Sequence, residues 1–239
     1  MKAMILAAGM GTRLQPFTNE HPKALVEVNG KTILQRNIEY LAGFGIRDLV
    51  INVHHFADQV EAYLKEHGNF HSRISVSDER EMLLETGWGL KKAAPFLREE
   101  KEPFVVMNVD VLTDLDLSAL VREHRKTKAL VTLAVTTRVT SRYLLFDELL
   151  HLCGWKNERT GEQKISRDTS KYYPKAFSGI HVISPAIFPL ITLDGRFSII
   201  DLYLELARTQ QILAFDHSNT RYIDVGRPAS VAEAEKLFR

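Results

Sequence analysis

Short apolar runs alternate with amphipathic stretches over the first 135 residues. Lys2–Ala7, Asp48–Val53, Arg73–Ser77, Pro103–Asn108 and Ala129–Val135 have the length and side-chain pattern of strands. Between them, Thr32–Phe44 places Ile33, Leu34, Ile38, Leu41 and Phe44 on one face at helical spacing, and Gly45 stands where a helix would end. Phe56–His67, followed by Gly68, reads as the next helix, then Thr86–Leu97 and Leu117–Lys126. Strands alternating with helices predict a largely parallel sheet covered on both faces.

The alternation breaks after Thr136. Tyr143–Phe146 and Leu149–Trp155 read as a hairpin turning at Asp147-Glu148, and the polar stretch Lys156–Lys171 is expected to be a mobile loop. Ala176–Ile183 is a strand, Ile199–Arg208 a helix and Tyr222–Val225 a short strand. Pro228–Phe238 is a closing helix with Pro228 in its first turn. The expected fold is α/β: a Rossmann-like three-layer α/β/α domain with a mostly parallel mixed sheet and a small antiparallel hairpin subdomain.

Composition narrows what such a domain does. Lys and Arg number 31 and Asp and Glu 30, a net charge of +1, so the chain lacks the positive excess expected of a nucleic-acid or membrane-surface binder. A single cysteine, Cys153, forms no intrachain disulfide and excludes thiolate-rich zinc sites; in its apolar run it reads as a buried, inert thiol. No apolar run reaches the roughly 18 residues of a membrane span. The amino terminus has too short an apolar stretch for a signal peptide, so a cytoplasmic protein is expected.

The strongest chemical signal follows the first strand. Leu6-Ala7-Ala8-Gly9-Met10-Gly11-Thr12-Arg13-Leu14 ends a strand in small residues and two glycines, and Pro16, Thr18 and Pro22-Lys23 come next. Glycine lets backbone approach a ligand, and successive amides in such a turn cradle anions. Arg13 can fork onto phosphate oxygens and Lys23 adds a point charge. Leu14 stands where a dinucleotide fingerprint needs its third glycine, and the Gly-Lys-Ser/Thr of a Walker loop is absent. Asp110 ends the run VVMNVD and Asp224 ends a second short apolar run before Gly226. Alone, each acid is as ordinary as a helix cap. Together, beyond strand ends and with the glycine turn, they suit a hard divalent cation.

These segments closely resemble the signature of the sugar-1-phosphate nucleotidyltransferases. Leu84-Glu85-Thr86-Gly87-Trp88-Gly89 is similar to that family's base- and ribose-contacting loop, and Asn108-Val109-Asp110 to its metal-binding strand end. Ala176-Phe177-Ser178-Gly179-Ile180 is similar to its sugar-contacting strand, and Tyr222–Pro228 to its second metal segment. Among subfamilies the short form most resembles N-acetylmuramate 1-phosphate uridylyltransferases, with mannose-1-phosphate guanylyltransferase-like proteins next.

The resemblance implies transfer of a nucleotidyl group from a nucleoside triphosphate, UTP before GTP, to a sugar 1-phosphate, with Mg²⁺ as cofactor. Arg13, Lys23 and Asp110 are its implied catalytic residues. Ala8, Gly9, Gly11, Thr12, Glu85, Thr86, Gly87 and Asn108 join Arg13 and Lys23 around the nucleotide. Gly179 and Asp201 face the sugar, and Asp110 and Asp224 hold the metal. Residues 1–135 would then form a nucleotide-binding half and 136–239 a sugar-phosphate half of one domain, in a monomer or small homo-oligomer. A cytidylyltransferase acting on phosphocholine shares the amino-terminal motif, and a non-catalytic nucleotide-sugar sensor would share the scaffold.

Some positions stay open in the sequence. Trp88, where the family loop has a small residue, either packs under its helix or crowds the base. Lys171 or Lys175, or neither, replaces the lysine that larger relatives direct at the sugar phosphate. Asp201 suits a cap as well as a sugar contact. His54, His55 and Asp58 are expected to be polar junction residues rather than metal ligands. Phe197, Ile199 and Ile200 suit a core or an oligomer contact.

Overall fold

The computed structural model describes residues 1–82, 84–99 and 101–238. In chain order the strands are β1 (Lys2–Leu6), β2 (Glu27–Val28), β3 (Lys31–Thr32), β4 (Asp48–Val53), β5 (Arg73–Asp78), β6 (Phe104–Asn108) and β7 (Val111–Thr113). They continue as β8 (Val131–Thr136), β9 (Arg142–Phe146), β10 (Leu152–Asn157), β11 (Gln163–Ile165), β12 (Tyr173–Ile183), β13 (Ile212–Asp216) and β14 (Tyr222–Asp224). The helices are α1 (Ile33–Gly43), α2 (Ala57–Glu66), α3 (Thr86–Lys92), α4 (Ala94–Leu97), α5 (Leu117–Thr127), α6 (Ile199–Leu206) and α7 (Pro228–Leu237).

Alternate residues of β1 enter two different cores. Ala3 and Ile5 pack with α1, α2 and α5 through Ile38, Leu41, Val60, Leu64 and Leu120. Met4 and Leu6 pack on the opposite face with Leu90 of α3, Leu97 of α4 and Leu202 and Tyr203 of α6. A strand buried on both faces reads as a continuous apolar run, as KAMIL does. The result is the expected three layers around a mixed sheet. β6, β1, β4 and β5 run parallel, β13 lies parallel to β8, and β12 runs antiparallel against β6, β8 and β9. The carboxyl ends of β1, β4 and β6 therefore share one edge of the sheet.

The helix starts follow local chemistry. Thr32 accepts from the Gln35 amide at 3.0 Å, Asp116 caps α5 and Ser198 caps α6.

Several features differ from the sequence pattern, the short strands β2, β3 and β7 among them. The helix read over Thr86–Leu97 is two, because Pro95 has no N–H to continue the first. The hairpin turn extends to His151, with Asp147 Oδ1 accepting from the amides of Leu149 at 2.9 Å and His151 at 2.8 Å. The stretch Lys156–Lys171 is not a free loop. It contains β11, paired with β10, and Ser166 Oγ and the Arg167 guanidinium donate to Leu204 and Ala207 carbonyls at the end of α6. Cations and hydroxyls satisfy the orphan carbonyls of a helix end. Finally, Ile212–Asp216 forms β13, a strand that the pattern did not single out.

Cys153 is buried, and burial pushes its thiol up from the ordinary value. Phe197 and Ile199 are core residues.

Three histidines are buried among neutral hydroxyl partners. His124 meets Thr132 Oγ1 at 2.9 Å, His181 meets Tyr203 Oη at 2.6 Å, and His217 lies between Thr220 Oγ1 and Ser178 Oγ. Burial pushes their pKa values down to about 4, about 3 and about 4. The unfolded chain takes up these protons near pH 6.5 and the folded one does not, so their contribution is complete above pH 6.5 and declines as pH falls toward 4. The expected slope approaches about 1.4 kcal/mol per pH unit for each proton. Denaturant unfolding between pH 7 and 4.5 checks this. Replacing His124 with Gln should flatten the slope, and an unchanged slope would count against it.

Candidate active site

A cleft of about 240 Å³ opens beyond the carboxyl ends of β1 and β6. Ligands gather at such strand ends in open α/β sheets. Ala8, Gly9, Lys23, Glu85, Thr86, Asn108 and Asp110, all singled out from the sequence, line it. Leu6, Asn52, Leu84 and Val109 line it as well.

The glycine turn is shaped by one unusual residue. Gly11 has φ +64°, and a Cβ there would lie 2.9 Å from both Lys23 Cβ and Thr18 Cγ2. The Thr18 hydroxyl donates to the Gly11 carbonyl at 2.9 Å. A side chain at Gly11 would force Lys23 away from the cleft, so the turn and the lysine are set by one close approach. Thr12 and Arg13 start the short 3₁₀ turn Thr12–Leu14 and are exposed, outside the cleft wall.

The acids come together through backbone. β7 pairs antiparallel with β14, with Asp224 opposite Val111, and the Val225 amide donates to the Asp110 carbonyl at 2.7 Å. Asn37 of α1 donates to the Val109 carbonyl at 2.7 Å from the other side. Asp110 is 8% exposed and forms an ion pair through Oδ2 with Lys23 Nζ. Asp224 Oδ1 is buried with no partner. Burial, and after it the negative charge of Asp110, pushes the Asp224 pKa above its ordinary value; Lys23, Arg13 and Arg138 pull the other way. A Cβ at Gly226 would sit 2.5 Å from Asp224 Oδ1 and 2.9 Å from Arg13 Nη2, so acid and guanidinium flank this glycine together.

Two adjacent acids, one with an orphaned oxygen, fit a divalent cation that completes its shell with water and phosphate oxygens. Among the described residues no group of three or more His, Cys, Asp or Glu side chains forms a metal cluster. His54 Nδ1 instead meets the Glu79 carbonyl at 2.7 Å, the His55 ring lies tilted against Phe56, and Asp58 pairs with Arg80.

The Glu85–Gly87 segment is bound to the second half of the chain. Thr86 Oγ1 accepts from the Ile199 amide at 3.0 Å, and the Gly87 amide donates to the Phe197 carbonyl at 3.1 Å. Gly87 is buried against the Phe197 ring rather than lining the cleft, and Trp88 packs edge-on to the same ring at 6.1 Å. Trp88 therefore packs under its helix. Asp201 lies in the first turn of α6, where its amide donates to the capping Ser198 hydroxyl at 3.1 Å and its carboxylate accepts from that hydroxyl at 2.7 Å, and it pairs with Lys164 at 2.9 Å. Gly179, at φ +73°, is buried with its Cα against the Asn108 side chain. Neither Gly179 nor Asp201 lines the cleft itself.

One positioning pair left no sequence signal. Asn52 Oδ1 accepts from the amides of Ala7 at 2.7 Å and Ala8 at 3.4 Å, and its Nδ2 donates to Glu79 Oε1 at 2.8 Å. Glu79 is fully buried, and burial pushes its carboxyl up. Asn52 is a single polar residue inside the strand DLVINV, where spacing rules see only an apolar run.

The surroundings agree with known proteins. A family model described as nucleotidyl transferase matches residues 2–143. The chain belongs to the nucleotidyl transferase family. It is 33% identical over 241 residues to the N-acetylmuramate alpha-1-phosphate uridylyltransferase of Caulobacter vibrioides, covering 98% of this chain and 95% of that one. It is 31% identical to the mannose-1-phosphate guanyltransferase of Yarrowia lipolytica and spans 64% of that protein's length. Among solved structures, HddC from Yersinia pseudotuberculosis complexed with GMP-PN matches with a TM-score of 0.80 at 24% identity. That match covers 100% of this chain and 99% of the other, and so supports this nucleotidyltransferase's fold.

The strained acid pair generates a test. A raised folded-state pKa means that the protonated acid is favoured: stability is greatest below the usual carboxylate range and falls as pH rises. Asp224→Asn should therefore raise the melting temperature at pH 8 without divalent ions, by about 2–4 °C for each kcal/mol relieved. The gain should vanish near pH 3.5. Calorimetry at the two pH values decides, and a lower melting temperature for the variant at pH 8 would refute the strain.

Proposed function

We propose that this nucleotidyltransferase joins a nucleoside triphosphate to a sugar 1-phosphate, releasing pyrophosphate and an NDP-sugar. The observation that carries the reading is the meeting of Asp110, Asp224, Lys23 and Arg13 beside one glycine turn. UTP is favoured over GTP, and N-acetylmuramate 1-phosphate over other sugars, because the muramate relative matches nearly end to end. No helix among the described residues is long and apolar enough to cross a membrane.

A phosphate oxygen of the sugar attacks the α-phosphorus, an O–P bond forms in line, and the bond to the β-phosphate oxygen breaks. The nucleophile arrives as an anion, so no general base is needed, and catalysis consists of positioning and charge neutralisation. The triphosphate lies over the amides from Ala8 to Gly11. Arg13 holds the departing pyrophosphate and Lys23 neutralises the α-phosphate. The base rests against Gly9, Glu85 and Thr86, with Asn108 toward the ribose and phosphates. Asp110 and Asp224 would hold Mg²⁺, which supplies positive charge to the phosphates when bound.

Pyrophosphate release over a matrix of four nucleoside triphosphates and the 1-phosphates of N-acetylmuramate, mannose, glucose and N-acetylglucosamine, with phosphocholine alongside, tests the reading. Turnover only with phosphocholine, or with none, would overturn it. Arg13→Ala should lower turnover by ~10²–10³-fold. Because Arg13 is exposed, the melting temperature should stay unchanged. Mg²⁺ should raise the wild-type melting temperature, and that shift should be lost in Asp224→Asn.

A further inference from the structure

The sequence offers Lys171, Lys175 or neither for the sugar phosphate, and both lysines are engaged elsewhere. Lys175 on β12 forms an ion pair with Asp216 at 2.6 Å. Lys171 sits over the Tyr173 ring at 4.9 Å. A different cation faces this side of the acids.

Arg138 follows β8 and reaches over the middle of β12. Its Nη2 donates to the Phe177 carbonyl at 3.0 Å, and its guanidinium rests on the Tyr222 ring, 5.2 Å from the centroid. Tyr222 lies two residues before Asp224 on β14, so both side chains share one face of that strand. The charge of Arg138 is felt by the Asp224 carboxyl. Yet among the described residues Arg138 forms no ion pair with a carboxylate, and its buried Nε has no acceptor. A partly buried guanidinium held by the ring and hydroxyl of Tyr222 and by one carbonyl, with no carboxylate paired to it among the described residues, keeps an unneutralised charge and a free Nε–H that a carboxylate or phosphate matches.

The neighbouring backbone places this cation beside the cleft. The register of β12 against β8 shifts between Phe177 and His181, and the shift contains Gly179. A Cβ at Gly179 would lie 2.8 Å from Asn108 Nδ2, and Asn108 lines the cleft. Ser178, between Phe177 and Gly179, is fixed by His217 Nε2 at 2.8 Å. The strand segment that carries the Arg138 acceptor thus runs directly to the cleft rim, and its conformation is held from below.

We infer that Arg138 is the seat for an oxyanion of the sugar substrate, its phosphate or a carboxylate substituent such as the lactyl group of a muramate. The inference rests on the sugar-phosphate reading proposed above. Binding and turnover separate the two.

Sugar binding is measured by calorimetry on protein saturated with Mg²⁺ and a UTP analogue carrying a methylene between the α- and β-phosphorus. Arg138→Met should weaken it by about ten- to a hundredfold, the effect of losing a charge-assisted contact. Affinity for the analogue alone should not change. Arg138→Lys should recover part of the loss, and Lys171→Met and Lys175→Met should bind normally. If glucose and muramate 1-phosphates weaken equally, the seat holds the phosphate; if only the muramate weakens, it holds the carboxylate.

On the wild-type protein, phenylglyoxal modification of Arg138, read by mass spectrometry, should be blocked by the sugar phosphate and not by the analogue. Full affinity in Arg138→Met for both sugars, or unprotected Arg138, would overturn the inference. Wild-type binding without pyrophosphate release would overturn the proposed reaction and leave Arg138 to be judged by these binding results.

Discussion

Two carboxylates held side by side out of water are what the rest of this molecule must accommodate. Like charges in a low-dielectric setting repel strongly, and burial alone disfavours ionisation. Asp110 and Asp224 nevertheless share one site because backbone imposes it: the β7–β14 ladder and the bond from the Val225 amide to the Asp110 carbonyl leave neither segment free to retreat. Lys23 compensates Asp110 directly, while Asp224 keeps an oxygen without a partner. The site is thus set to receive positive charge from a ligand.

The scaffold around this pair is rigid where the acids need it. Val109 is fixed between Asn37 and the Leu6 carbonyl, and the sheet beneath is buried on both faces. The glycine turn is supported from behind by Asn52 and Glu79, whose side chains replace the strand partner that the amides of Ala7 and Ala8 would otherwise lack. A fully buried carboxyl is costly, and this one accepts from the Asn52 amide and the Leu84 backbone; such groups persist where they fix geometry.

Much of this was legible in the residues. The strands of the first half show as apolar runs because both their faces are buried, and the turn shows because glycine and charge occur together at a strand end. Asp110 and Asp224 stood out as acids closing such runs. The remainder was hidden for identifiable reasons. β11 is exposed at all three positions and carries no hydrophobic pattern, so its stretch reads as a loop. Gly87 looks like a ligand-facing glycine, yet its smallness serves the Phe197 ring. Asn52, Glu79 and Arg138 act through partners distant in the chain, and no local spacing reveals that.

The placement of β8 and β14 has a consequence for synthesis. β8 is bordered by β12 and β13, both made after it, and β7, which begins just after Asp110, waits for β14 far along the chain. On the ribosome, the parallel core of β1, β4, β5 and β6 emerges with its own helices, but the acid pair does not exist until residues 222–224 have followed it. A chain cut before β14 would carry the glycine turn and Asp110 without Asp224 beside them.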